Sequence, residues 1–144
     1  MSEEIRVAGH RAIIAIEVLS YERPEVMDPD DANWLKCGVS VKAGPFTGAF
    51  PCTLTTRDLA TLTERLKTAL GVPSGKVAFR TTESDISLEI LFDNRGTAVV
   101  LGSVEPQVSP EASLHFRFET DQSYLTQTLR QLESVLRRFP VKAY

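Results

Sequence analysis

Apolar and polar residues alternate along most of this chain, and in two places the period lengthens to that of a helix. Ala12 to Ser20 is apolar and rich in β-branched residues, which predicts a strand. Tyr21 to Asn33 carries Pro24, Pro29 and a run of acids and predicts a long loop. Trp34 to Ala43 alternates, with Leu35, Cys37, Val39 and Val41 on one face and Lys36, Ser40 and Lys42 on the other. Gly44-Pro45 is a turn. Phe46 to Leu54 puts Phe46, Phe50, Cys52 and Leu54 on one face. Pro51 cannot donate to a ladder, which places it at an edge or a bulge. Thr55 or Thr56 can then cap a helix striped by Leu59, Leu62, Leu66 and Leu70, with Asp58 in its first turn. Gly71 can close it in the left-handed conformation, and Pro73 follows.

Four more strands are predicted at Lys76 to Thr82, Ile86 to Phe92, Thr97 to Val104 and Ala112 to Glu119. Asp121 can cap a last helix, whose leucines Leu125, Leu129, Leu132 and Leu136 fall on one stripe. Arg137 and Arg138 complement its dipole, and Pro140 ends it. The predicted fold is α+β in the order βββ-α-ββββ-α. It has a mainly antiparallel sheet of about seven strands and two helices packed on one face. No repeat or linker divides the chain, so residues 1–144 are expected to form a single domain.

The hairpin at Asp93-Asn94-Arg95-Gly96 allows two registers. A three-residue loop pairs Leu91 with Val99 and Glu89 with Leu101, which leaves Leu91, Val99 and Leu101 as an apolar patch on the outer face. A two-residue loop turns Val99 and Leu101 inward. Gly96 favours the first. If the patch is exposed, self-association into a homodimer across that face would bury it.

Charge sharpens this picture. The 144 residues have a net charge of −3, which disfavours a general nucleic-acid binder. Residues 1–33 alone carry eight acids and three bases. The acids are densest from Glu22 through Glu25, Asp28 and Asp30 to Asp31, and could steer a basic partner. Trp34 follows directly and is a candidate anchor at an interface. The start, Met1-Ser2-Glu3-Glu4, is acidic where a signal peptide is basic, and no stretch is long and apolar enough for a membrane span. A cytoplasmic location with Cys37 and Cys52 reduced is therefore expected.

Catalytic candidates are scarce. With two histidines and two cysteines there is no zinc spacing, and the Asp-x-Asp of Asp28 to Asp31 lacks the rest of a calcium loop. Neither a Gly-x-Ser-x-Gly elbow nor a phosphate-binding glycine loop occurs. The expectation is a non-enzymatic protein with no catalytic residues, metal or cofactor.

A family resemblance gives the remaining direction. Asp31-Ala32-Asn33-Trp34-Leu35 is followed by Val39-Ser40-Val41, Gly44-Pro45-Phe46 and Phe50. Leu54-Thr55-Thr56-Arg57-Asp58-Leu59 comes next, then Leu114-His115-Phe116-Arg117-Phe118 and Asp121-Gln122-Ser123-Tyr124-Leu125. In this order the chain resembles the WapI-like immunity proteins of bacterial contact-dependent competition systems, from about residue 12 to residue 138. The resemblance implies a cytosolic protein that binds and neutralises a cognate toxin domain, often a nuclease. It transfers no catalytic residue. Glu22, Glu25, Asp28, Asp30, Asp31, Trp34, Leu91, Val99 and Leu101 are the candidate partner-binding residues. The alternative is a small-ligand domain with a pocket between sheet and helices, lined by Phe50, Phe79, Phe92, Phe116 and Phe118.

Overall fold

The computed structural model describes residues 3–72 and 75–142; the Pro73 expected after the first long helix lies outside them. Eight strands form two antiparallel sheets of four, which replaces the single sheet of about seven. The first sheet runs β1 (Glu3–Gly9), β2 (Ala12–Tyr21), β3 (Trp34–Ala43), β4 (Phe46–Thr55), each strand beside its sequence neighbour. The second runs β5 (Lys76–Arg80), β6 (Ile86–Phe92), β7 (Thr97–Val104), β8 (Leu114–Asp121) in the same manner. Among the described residues there are three helices, not two: α1 (Pro29–Ala32), α2 (Thr56–Leu70) and α3 (Gln122–Arg138). One turn of helix, α1, interrupts the predicted loop. Setting α1 aside, four strands and a helix occur twice in the same order, with no repeat visible in the sequence.

β1 is the strand the hydrophobic pattern missed. Only Ile5 and Val7 are buried in it, and its neighbours Glu4 and Arg6 form an exposed ion pair at 2.7 Å. Two apolar residues are too few to announce a strand; long-range bonds make it one. The Arg6 N–H donates to Gln131 Oε1 at 2.7 Å, and the Arg6 carbonyl accepts the Thr128 hydroxyl at 2.6 Å. Both partners lie on α3.

The helices lie along the sheet edges more than across one face. α3 runs beside β1, and α2 runs beside β5 and against α3. Arg65 of α2 donates to the Ala78 carbonyl on the outer side of β5 at 2.6 Å. The apolar stripes of α2 and α3 join the inner faces of both sheets in one continuous core. Leu59, Leu66, Leu125 and Leu132 are fully buried in it.

Local signals explain the helix ends. Thr55 and Asp58 form a reciprocal capping box, with both bonds at 3.0 Å. Asp121 caps α3 through the Tyr124 N–H at 3.1 Å. Gly71 corrects the expectation of a left-handed closure, for it sits at φ −86°. Phe46 corrects another: it shares the inward side of β4 but lies beyond the core and is 63% exposed.

Candidate functional site

The two groups of candidate residues take separate places on the surface. The acidic segment spans the gap between β2 and β3, and both of its ends are fastened to residues 139–142. At its start, the Tyr21 hydroxyl donates to the Pro140 carbonyl at 2.6 Å. The Tyr21 ring meets Phe139 edge-on with centroids 5.4 Å apart, and Lys142 Nζ lies 3.8 Å from the Tyr21 centroid. At its end, Asn33 is buried and fully satisfied. Its Nδ2 donates to the carbonyls of Pro29 and Lys142 at 2.8 and 2.9 Å. Its Oδ1 accepts the Thr56 hydroxyl at 2.5 Å and the Lys142 N–H at 2.8 Å.

Between these clamps Glu22, Glu25, Asp28, Asp30 and Asp31 are all exposed. Asp28 has a structural task, accepting the Asp30 N–H at 3.0 Å to cap α1. Asp31 pairs with Arg23 at 3.9 Å, and both side chains are more than half exposed, so the pair adds little stability. Met27, 68% exposed among these acids, is an apolar surface residue that sequence reasoning passed over. Its signal was an apolar side chain between Pro24 and Pro29, in a segment too short to bury it. Trp34 is half-buried at the foot of the segment, and its carbonyl accepts the Glu22 N–H at 2.9 Å.

The second group lies on the outer face of the second sheet. The β6–β7 register pairs Leu91 with Val99 and Glu89 with Leu101, as the three-residue loop requires. Gly96 at φ 83° permits that loop, and the Asp93 N–H closes it onto the Thr97 carbonyl at 3.0 Å. The Thr97 hydroxyl and the Arg95 N–H hold the exposed Asp93 carboxyl below its ordinary pKa. Leu91 and Leu101 are 38% and 37% exposed, and Val99 is half-buried between them. Strand pairing surrounds them with Lys76, Glu89, Arg117 and Glu119. An apolar centre with a charged rim is the anatomy of a protein interface. The rim went unrecognised in the sequence because it comes from three strands, though alternation already put His115, Arg117 and Glu119 on one side of β8.

The two groups do not adjoin. The Gln122 N–H ties the start of α3 to the Gly96 carbonyl, while Phe139 ties its end to Tyr21. At about 1.5 Å rise per residue, a helix of this length separates them by roughly 25 Å.

The interior offers little chemistry. Cys37 and Cys52 are direct partners across β3 and β4. Burial, followed by the neighbouring Cys52, raises the Cys37 thiol far above its ordinary value. Burial, followed by the Asp85 carboxylate, pushes Cys52 up to about 12. Thiols held protonated are poor nucleophiles and poor metal ligands. Among the described residues no three His, Cys, Asp or Glu side chains converge on a metal position. Four of the five phenylalanines of the alternative pocket pack into the core, and Phe50 is half-buried at the edge of the first sheet. Phe79, Phe92, Phe116 and Phe118 are buried, Phe116 and Phe118 stack at 6.1 Å, and the Phe116 ring lies on Gly102 where a Cβ would collide with it.

Comparison with known proteins agrees on the architecture. A solved structure, the crystal structure of WHY1 from Arabidopsis thaliana, shares the fold with a TM-score of 0.53 at 11% sequence identity. The match covers 96% of this chain and 84% of that one. No curated protein matches the sequence. The model of the immunity protein WapI-like family matches residues 6–140, so the chain belongs to that family.

Proposed function

We propose that the protein is a non-enzymatic immunity protein that binds a cognate toxin domain in the cytoplasm and blocks its active or substrate-binding surface. The family match over residues 6–140 carries this reading. Two surface features support it. The acidic segment is held at both ends yet leaves its carboxylates in solvent, which suits long-range attraction of a basic toxin. The patch of Leu91, Val99 and Leu101 supplies apolar area inside a charged rim, which suits retention of the complex. Trp34 and Met27 extend the acidic contact with apolar surface.

The test begins with capture of tagged protein from the native lysate at low and high salt, with partners identified by mass spectrometry. Co-expression of the captured toxin domain and this chain then reads protection from growth arrest. A basic toxin whose capture weakens with salt and whose arrest is relieved supports the reading. A captured toxin whose arrest persists overturns it. Replacing Glu22, Glu25 and Asp30 by Lys is expected to slow association roughly tenfold at low salt and to leave the melting temperature unchanged. Leu101→Asp is expected to act instead on the dissociation rate.

A further inference from the structure

Of the four outer strands, three are bonded along or at the end of their free edge by another part of the fold. α3 bonds to the outer side of β1, and α2 bonds to the outer side of β5. The β8 edge meets the end of β1, where the His10 N–H donates to the Glu119 carbonyl at 2.9 Å and the Thr120 hydroxyl donates to the Ala8 carbonyl at 2.7 Å. Among the described residues β4 has no such bonded cover. Residues 46–49 and Pro51 are exposed, and the ten residues of the strand include no charged side chain. Exposed edges are ordinarily defended by charge or proline. This one is defended only by proline, at Pro51 and just before the strand at Pro45.

The hydrogen-bond phase identifies the free groups. The Thr56 N–H donates to the Asn33 carbonyl, so the alternating bonds to β3 continue through Leu54, Cys52, Phe50, Gly48 and Phe46. The backbone groups of Thr47, Ala49, Pro51 and Thr53 therefore point away from the sheet. Between the two prolines the sequence is Phe46-Thr47-Gly48-Ala49-Phe50, nearly the same read in either direction.

We propose that this segment pairs with the same segment of a second copy of the chain, antiparallel about a two-fold axis at Gly48. In that register Thr47 faces Ala49 of the second copy on both sides of the axis, giving four new N–H···O=C bonds. Phe46 falls opposite Phe50 of the second copy at the closer, non-hydrogen-bonded spacing, where aromatic pairs gain most. Gly48 meets its own counterpart, and a Cβ there would find nothing within 4 Å. Pro45 and Pro51 would face each other next, and neither has an N–H, so the ladder stops there. The absence of charge means that self-pairing brings no like charges together. A cleft of about 550 Å³ beside the edge, lined by Phe46, Phe50, Pro106, Val108 and Leu114, gives the incoming rings an apolar floor. The second copy would bury Phe46, which the fold leaves in solvent.

Sedimentation equilibrium of the full chain over a range of concentrations tests the pairing. The mass is expected to rise from 15.9 kDa toward twice that value. Ala49→Pro removes an N–H that the native sheet does not use, so circular dichroism and the melting temperature should stay as they are. The dissociation constant should rise about tenfold or more as two of the four bonds are lost. Phe46→Asp, at a position already in solvent, should hold the chain at 15.9 kDa. A wild-type mass that stays at 15.9 kDa up to the solubility limit overturns the proposal and leaves the edge to an extended segment of another protein. A dimer unaffected by both substitutions overturns it as well.

Discussion

The two sheets are built alike and finished differently. Each is a four-strand meander followed by a helix, and each helix lies along the first strand of the other sheet. That exchange covers β1 and β5 in equivalent ways. The last strands are not equivalent, since the end of β1 bonds to the β8 edge and no described residue bonds to the β4 edge. The outer faces differ too. The second sheet shows leucine and valine inside a charged rim, while the first shows Ala15, Gly38, Ser40 and Ala49 across its middle. The same topology thus leaves one sheet with a half-exposed apolar patch on its face and the other with an exposed, uncharged edge. Side chains, not strand order, make that difference.

Three experiments sharpen or break this comparison. Leu66→Ala in α2 and Leu132→Ala in α3 remove equally buried side chains from the shared core. Each should cost about 3 kcal/mol in urea denaturation. A cost confined to one of them would mean that the two halves do not unfold together. Asn33→Ala should cost about 2 kcal/mol, because the Thr56 hydroxyl and the Lys142 N–H lose their acceptor inside the structure. Its loss should also make the acidic segment more susceptible to limited proteolysis while the second sheet stays resistant.

The smallest effect concerns pH and belongs to the first sheet alone. Both thiols have raised pKa values in the fold, so the folded state keeps protons that the unfolded chain releases. Stability from this source is complete below about pH 9 and declines as pH rises toward 12. Replacing both Cys37 and Cys52 by Ala should flatten that decline in melting temperatures measured from pH 8 upward. An unchanged slope would assign the alkaline loss to other groups.

Seven strands and both long helices were legible because each carries its own period of apolar residues. Their division into two sheets was not, because alternation states which face of a strand is buried and is silent on which strands pair. β1 was illegible for a related reason. Arg6 and Ala8 find their partners at Gln131, Thr128 and Thr120, more than a hundred residues away. The register at Leu91 and Val99 could be read because one glycine in one short loop decides it. The residues that carry the family resemblance, Asn33 and Asp121 among them, prove to be fasteners: Asn33 holds residue 142 and α2, and Asp121 starts α3. Motifs of that kind announce a fold and leave its partner surface unmarked. Phe46 shows the complementary failure, since an alternation that fits the core continues past the point where the core ends.

The sealing of β1 by α3 has a consequence during synthesis. β1 leaves the ribosome more than a hundred residues ahead of the groups that close its edge, which arrive only with residues 120–131. At translation rates of about 5–20 residues per second, this delay is on the order of ten seconds. For that interval the edge of β1, beside the apolar run Ala12 to Ile16, lacks the groups that seal it in the finished fold.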